Sequence, residues 1–287
     1  MAQIVIHLSR RTEIKHMSTE ILSWNILSGG FKDYGSPEKR PERIDGLASV
    51  IKDLNPDIVS LVDTHRWTEV FTPDELKQIF GYPYVHTVKL EDQRLVTKGH
   101  DNGITVFSQI AETEIQTIWL ATRNAIRTKV GGIDIFSVYL DDVSEDTRIK
   151  QIEAVLKLVN PNTPTIITGD LNTFDNDDLA ETDKQLETLG RKFPGPMKSM
   201  KGSLNEMKRG EVTKILTNAG FVDLGKGKGD TVPAKLFPLP VNEPILRLDY
   251  AFGNNLIKLE EFKVITDEKY GNLSDHYPIW MRVSSIN

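Results

Sequence analysis

The feature that most constrains this chain is a short run of β-branched residues that stops abruptly at a carboxylate. Thr165-Ile166-Ile167-Thr168 reads as a buried strand, and Gly169-Asp170-Leu171-Asn172 ends it. If the extended conformation persists, Asp170 and Asn172 point to one side while Leu171 anchors the other. An acceptor and an amide so placed can grip a metal-bound or water-bound phosphate. The same residues equally fit a strand end followed by an Asx turn, so the motif alone decides nothing.

The pattern recurs along the chain. Residues 20–25 read as a strand ending in Asn25, and Gly29-Gly30 then lets backbone approach whatever Asn25 faces. Residues 57–62 read as a second buried strand, ending in Asp63. Residues 102–108 and 133–140 read as further strands, with β-rich stretches at 113–120 and 125–130 between them, and the last of these leads into Tyr139, Asp141 and Asp142. Near the C-terminus LRLDYAF carries Asp249 inside a strand, FKVI follows, and Asp275-His276 immediately precedes a final strand over 278–283.

Helices fill the gaps. Apolar spacing predicts one over 42–54, a Thr72-Pro73-Asp74-Glu75 capping box opens one to Phe80, and Ser144 caps one whose stripe runs Ile149, Ile152, Val155, Leu156 and Val159. After Asn172 we expect a helix over 178–189, a loop rich in Gly, Pro and Lys through Lys208, and a short helix over 212–218. Strands and helices alternate, the last strands look antiparallel, and no repeat or composition break forces a second domain.

Composition narrows the function classes. With 39% hydrophobic and 26% charged residues the chain is ordinary globular material. Its net charge of -6 argues against a protein that coats nucleic acid nonspecifically, although it does not exclude a nuclease. The absence of cysteine excludes disulfides and thiolate metal sites. No apolar run approaches the roughly 18 to 20 residues that span a bilayer. The first apolar section is too short for a secretory signal, and Met17 precedes the first convincing strand. Residues 1–17 are therefore expected to be an extension, residues 18–287 the domain, and the location cytoplasmic. Between Lys184 and Lys235 basic residues outnumber acidic ones roughly two to one, a face that fits a polyanion or simply a solvated insertion.

Taken jointly, Asn25, Asp63, Asp170, Asn172, Asp249, Asp275 and His276 all fall at strand ends or flanking loops. Acids for a hard cation, amides for phosphoryl oxygens and a histidine beside an acid are what metal-assisted attack on phosphorus needs. In order, SWNIL, PDIVSLVD, NGITVFS, GDLN, RLDYAF and SDHYPIW resemble the successive motifs of the endonuclease/exonuclease/phosphatase superfamily, the deoxyribonuclease I-like fold. The resemblance covers nearly the whole chain, from about Ile21 to Val283. It implies one α/β domain built as a four-layer α/β/β/α sandwich of two mixed sheets with outer helices.

The resemblance also implies roles. Asn25 resembles the Asn of the metal-linked phosphate network, and Asp63 stands where relatives usually place a metal-binding Glu. Asp170 resembles the acid that orients or deprotonates the attacking water, and Asn172 the phosphate-holding amide. His276 resembles the residue that contacts phosphate or transfers protons, Asp249 the acid that orients its ring, and Asp275 a further acid beside the metal. Tyr139 stands where the phosphatase-like and deoxyribonuclease I-like branches usually have His and resembles the exonuclease III and abasic-site endonuclease branch, whereas the segment after GDLN departs from that branch's pattern, so the resemblance leaves the subfamily open. Asp101, Asn102, Asp141, Asp142 and Arg148 are neighbours for which loop and cap readings serve equally well. His65, His86 and His100 carry no metal-ligand spacing.

The function implied is a Mg²⁺- or Mn²⁺-dependent monomeric enzyme that hydrolyses a phosphodiester in nucleic acid. A phosphatase or diesterase acting on an inositol phosphate or phospholipid head group stands as the alternative. A catalytically silent binding protein, motivated by Asp63 and Tyr139, is the third.

Overall fold

The computed structural model describes residues 18–89, 103–112, 114–237, 241 and 244–286. The expected extension over 1–17, and the neighbours His100, Asp101 and Asn102, lie outside them. Among the described residues twelve strands form two six-stranded sheets. The first takes β1 (Thr19–Asn25), β2 (Ile58–Val62), β3 (Tyr84–Val88), β4 (Ile104–Ser108), β11 (Ile257–Val264) and β12 (Ile279–Ser285), in the order β11-β12-β1-β2-β4-β3. The second takes β5 (Glu114–Leu120), β6 (Arg123–Val130), β7 (Ile133–Tyr139), β8 (Thr165–Asp170), β9 (Val222–Asp223) and β10 (Asp249–Gly253), in the order β5-β6-β7-β8-β10-β9. Each sheet is mixed, with one parallel pair at its heart: β1 with β2, and β7 with β8.

The layers follow from where each strand puts its apolar residues. Ile21, Ile58, Val106, Ile126, Ile166 and Met281 meet between the sheets. The opposite face of the first sheet, including Leu22, Trp24 and Val59, is covered by α1 (Ile44–Leu54) and α3 (Pro73–Phe80), beside the short α2 (Trp67–Val70). The opposite face of the second, including Phe136, Ile167 and Phe252, is covered by α4 (Glu145–Leu156) and α7 (Glu211–Asn218). That is the four-layer sandwich expected from the motifs. The Thr72–Glu75 capping box forms as read, with both reciprocal hydrogen bonds present.

One segment departs from the expectation. Beyond α5 (Leu179–Lys192), residues read as a loop fold as α6 (Pro194–Met207); α7 and the short α8 (Glu268–Gly271) come later. Pro194 and Pro196 sit in the first turn, where no intrahelical N–H bond is lost. Leu204 and Met207 are buried and Met197 and Met200 pack beside them, so α6 joins α5 in a satellite core with Phe174, Leu246 and Leu248. Much of the basic charge of this region is taken up locally: Lys208 pairs with Asp183, Arg209 with Asp146 and Glu206, and Lys235 with Glu268.

Candidate active site

Strand register assembles the floor of the site. Tyr139 on β7 stands opposite Asp170 on β8, and Asp170 stands opposite Asp249 on β10. Three ionisable side chains thus lie abreast at one end of the central strands of the second sheet. Asp249 opens β10 and does not lie inside it, because Leu246 leaves the ladder for an isolated bridge to Val232. In the first sheet Asn25 ends β1 opposite Val62, which places Asp63 one residue beyond. Backbone at Gly169 permits this tight packing: a Cβ there would stand 1.9 Å from the Val138 carbonyl oxygen. Asn172 is left-handed (φ 49°), so the extended path does not continue past Asp170, yet both side chains still face the same cleft.

The loop before the last strand supplies His276. Its Nδ1 lies 2.7 Å from Asp249 Oδ2, and its Nε2 lies 4.0 Å from both Asp170 Oδ2 and Asp275 Oδ1. Asp249 thereby fixes the ring, Nδ1 carrying the proton. Asp170 accepts from Asn25 Nδ2 at 3.0 Å and from the Asn172 N–H at 2.9 Å. Asn172 in turn donates to the Leu140 carbonyl at 3.0 Å. Ser274 Oγ donates to the Asn25 carbonyl and accepts the His276 N–H, tying the loop to β1.

These groups are almost fully withdrawn from water, which shapes their charge. Burial raises the Asp170 pKa, and Asp249 adds to the rise against the opposing effect of His276 and the two hydrogen bonds. For His276, burial alone would lower the pKa, yet Asp249, Asp275 and Asp170 outweigh it and favour the imidazolium. Burial also pushes Asp63 up to about 7, although the Tyr34 hydroxyl and the Ser28 N–H hold its carboxylate. Burial first, then Asp63, raises Tyr139 well above the ordinary phenol value, so its hydroxyl stays protonated at neutral pH.

Sequence reasoning missed two participants. Tyr34 donates to Asp63 Oδ2 at 2.5 Å and lines the cleft, reaching it from a loop with no regular pattern. Arg43, buried beneath the site, donates to four backbone carbonyls: Ile26, Leu27, Phe31 and Leu273. It clamps the loop after β1 to the loop that carries Asp275 and His276. Among the described residues, four of the seven non-glycine residues with positive φ, namely Leu27, Ser28, Asp63 and Asn172, border this one site, which concentrates local backbone strain there. Among the other expected neighbours, Asp142 lines the cleft and pairs with Arg123 at 2.7 Å, whose guanidinium lies over the Tyr139 ring. Asp141 accepts the N–H groups of Val143 and Ser144, and Arg148 is buried against Glu145, so both are structural. His65 packs edge-on against Tyr34.

The donors fit a hard divalent cation. Ligand atoms of Asp170, Asp249 and His276 lie within 4.8 Å of one another, and Asp249 Oδ1 is buried without a hydrogen bond. Asp63 and Asp275 add carboxylates on the same cleft, and oxygen is the donor such a cation takes. The Asp249–His276 hydrogen bond argues that this pair orients a proton, leaving the cation to Asp63, Asp275 and their neighbours.

Two mixed sheets packed face to face, with carboxylates and one imidazole gathered at their strand ends, define the deoxyribonuclease I-like class of fold. The model of the Endonuclease/Exonuclease/phosphatase family matches residues 22–276, and the chain belongs to that family, whose members are generally hydrolases acting on phosphoesters. Among solved structures, an endonuclease/exonuclease/phosphatase from Beutenbergia cavernae is 19% identical with TM-score 0.66, covering 93% of this chain and 72% of its own. An AP endonuclease from Archaeoglobus fulgidus is 17% identical with TM-score 0.66, covering 93% and 100%. The 3' phosphatase NExo from Neisseria, bound to a product DNA hairpin, is 16% identical with TM-score 0.66, covering 92% and 98%. Comparison with curated proteins returns no match. Among the described residues no helix is long and apolar enough to cross a membrane.

Proposed function

We propose that this protein is a Mg²⁺- or Mn²⁺-dependent hydrolase of phosphodiesters. The observation that carries the reading is the buried set Asp170, His276 and Asp249, with Asp249 holding Nδ1 of the ring and Nε2 turned toward Asp170. Asp170 accepts a proton from the attacking water, a task suited to a carboxylate whose pKa burial has raised toward neutrality. The water oxygen bonds to phosphorus, the bond from phosphorus to one ester oxygen breaks, and the departing alcohol takes its proton from solvent. His276 as imidazolium, with the Asn172 amide and the neutral Tyr139 hydroxyl, faces the charge that builds on the phosphoryl oxygens. Asp63 and Asp275, beside Asn25, would hold the cation, which when bound supplies Lewis-acid stabilisation of that charge.

Nucleic acid is the leading substrate class, supported by the activities of the Archaeoglobus AP endonuclease and the Neisseria 3' phosphatase, which this chain resembles in fold. A small organic phosphodiester is the second reading, favoured by one observation: among the described residues no lysine or arginine lines the cleft. A panel of single- and double-stranded DNA, abasic DNA, RNA, bis(4-nitrophenyl) phosphate and inositol phosphates, each with and without Mg²⁺ or Mn²⁺, tests both. Metal-dependent turnover lost in Asp170→Ala supports the hydrolase. Polynucleotide binding that weakens steeply with salt supports the first substrate class, and salt-insensitive turnover of small esters alone supports the second. Silence across the panel with every metal would overturn the proposal.

A further inference from the structure

The cleft has two unlike ends. One is the polar floor just described. The other is a wall of Met200, Leu204 and Met207 from α6 facing Phe237, Leu246 and Leu248, with Ser199 and Ser203 at its mouth. The whole space is about 340 Å³, within the size range of small-ligand sites.

Charge separates the possible occupants of that end. A polynucleotide carries a phosphate for every ~3.4 Å of each strand, so continuing it along the wall would set a second anion among apolar side chains. No lysine or arginine lines the cleft among the described residues to meet it, and the His276 imidazolium belongs to the polar floor. Two arginines adjoining cleft-lining residues are directed elsewhere: Arg247 toward Asp175, Asp178 and Asp223, and Arg123 toward Asp142. Burying an unpaired anion there is strongly unfavourable, whereas burying methylenes is favourable.

We infer that α6 is a specificity-determining element, and that the group esterified to the reacting phosphate on its side is an uncharged, apolar alcohol residue seated against Met200, Leu204 and Met207. This rests on the hydrolase reading and names the substrate chemistry of the same site. The element is an addition to the sandwich: the register of β7, β8 and β10 sets the polar floor without it.

The test is binding of n-alkylphosphonates, from methyl to hexyl, by calorimetry with Mg²⁺ present, alongside turnover of bis(4-nitrophenyl) phosphate. Since burying a methylene is worth ~0.8 kcal/mol and tenfold is ~1.4, Kd should fall roughly fourfold per added carbon until the cleft is full. Met200 is half-buried, so Met200→Glu should fold while flattening that slope. Ser203→Leu, also at a half-buried position, should fill the mouth and bring the plateau to a shorter chain. A flat Kd from methyl to hexyl, in a protein that turns over the nitrophenyl ester, would overturn the inference and leave the hydrolase standing. So would an unchanged slope in both variants, or affinity for oligonucleotides that rises with each added phosphate. No turnover of any ester would instead strike the hydrolase reading.

Discussion

The floor and the wall of the cleft are built in opposite ways. The floor is set by strand register: Tyr139, Asp170 and Asp249 are adjacent because β7, β8 and β10 are hydrogen-bonded neighbours, and His276 is held by Asp249 at 2.7 Å. Shifting any of these side chains means shifting a sheet whose two faces are both packed. The wall is set by the packing of one helix, α6, over a satellite core, with Met197 and Met200 only partly covered. The difference teaches where each kind of variation belongs: chemistry on the rigid element, selectivity on the one that can be exchanged without disturbing the sheets.

The sharpest way to break this comparison is at the floor. Removing the ring in His276→Ala, or its orienting partner in Asp249→Asn, should cut kcat by about 10²–10⁴, the range for a lost proton-handling group. Circular dichroism should stay native, because neither change opens a large cavity. Loss of fold in both variants would mean that the pair is a structural contact.

Arg43 tests whether the two loops at the floor act as one body. Arg43→Met keeps much of the bulk but leaves four carbonyls without their donor, so thermal unfolding should show a loss of about 3 kcal/mol or more. Weaker Mn²⁺ binding by paramagnetic resonance should accompany it. An unchanged midpoint would show that water replaces the guanidinium at little cost.

Asp63 should behave in the contrary sense. Its native pKa of about 7 lies above the ordinary carboxylate value, so the folded state binds a proton more tightly than the unfolded chain does. That contribution is complete below about pH 4 and is lost as pH rises through 7. Asp63→Asn should therefore be more stable than the parent, by a gain that grows from pH 4 to 7 and then levels at a few kcal/mol. Turnover should fall at the same time. A variant less stable than the parent at pH 8 would show that the charge is compensated in the native fold.

The smallest effect belongs to the wall, where Met200→Glu should cost roughly tenfold in affinity for a three-carbon chain and much less for methylphosphonate.

The floor was the legible part. Asp170, Asp249 and His276 announce themselves because each ends or precedes a run of β-branched and aromatic residues, and strand periodicity survives in a single sequence. Tyr34 and Arg43 did not, since the partner of one is 29 residues away and those of the other are backbone carbonyls 12 to 230 residues away, which have no sequence signature. Strand β3 was missed because none of its residues is fully buried, so its pattern is faint. For α6 the signal was present: Met197, Met200, Leu204 and Met207 recur at helical spacing. Glycine, proline and lysine between them masked it, although Gly195 and Gly202 face solvent and both prolines occupy the first turn.

The measurement that bears most directly on the hydrolase is the rate of bis(4-nitrophenyl) phosphate cleavage by the parent protein and by His276→Ala, side by side, with Mn²⁺ and then with chelator. Metal-dependent turnover that falls by at least ~100-fold in the variant is the expected result. Equal rates in the two proteins, or a rate indifferent to chelation, would contradict it.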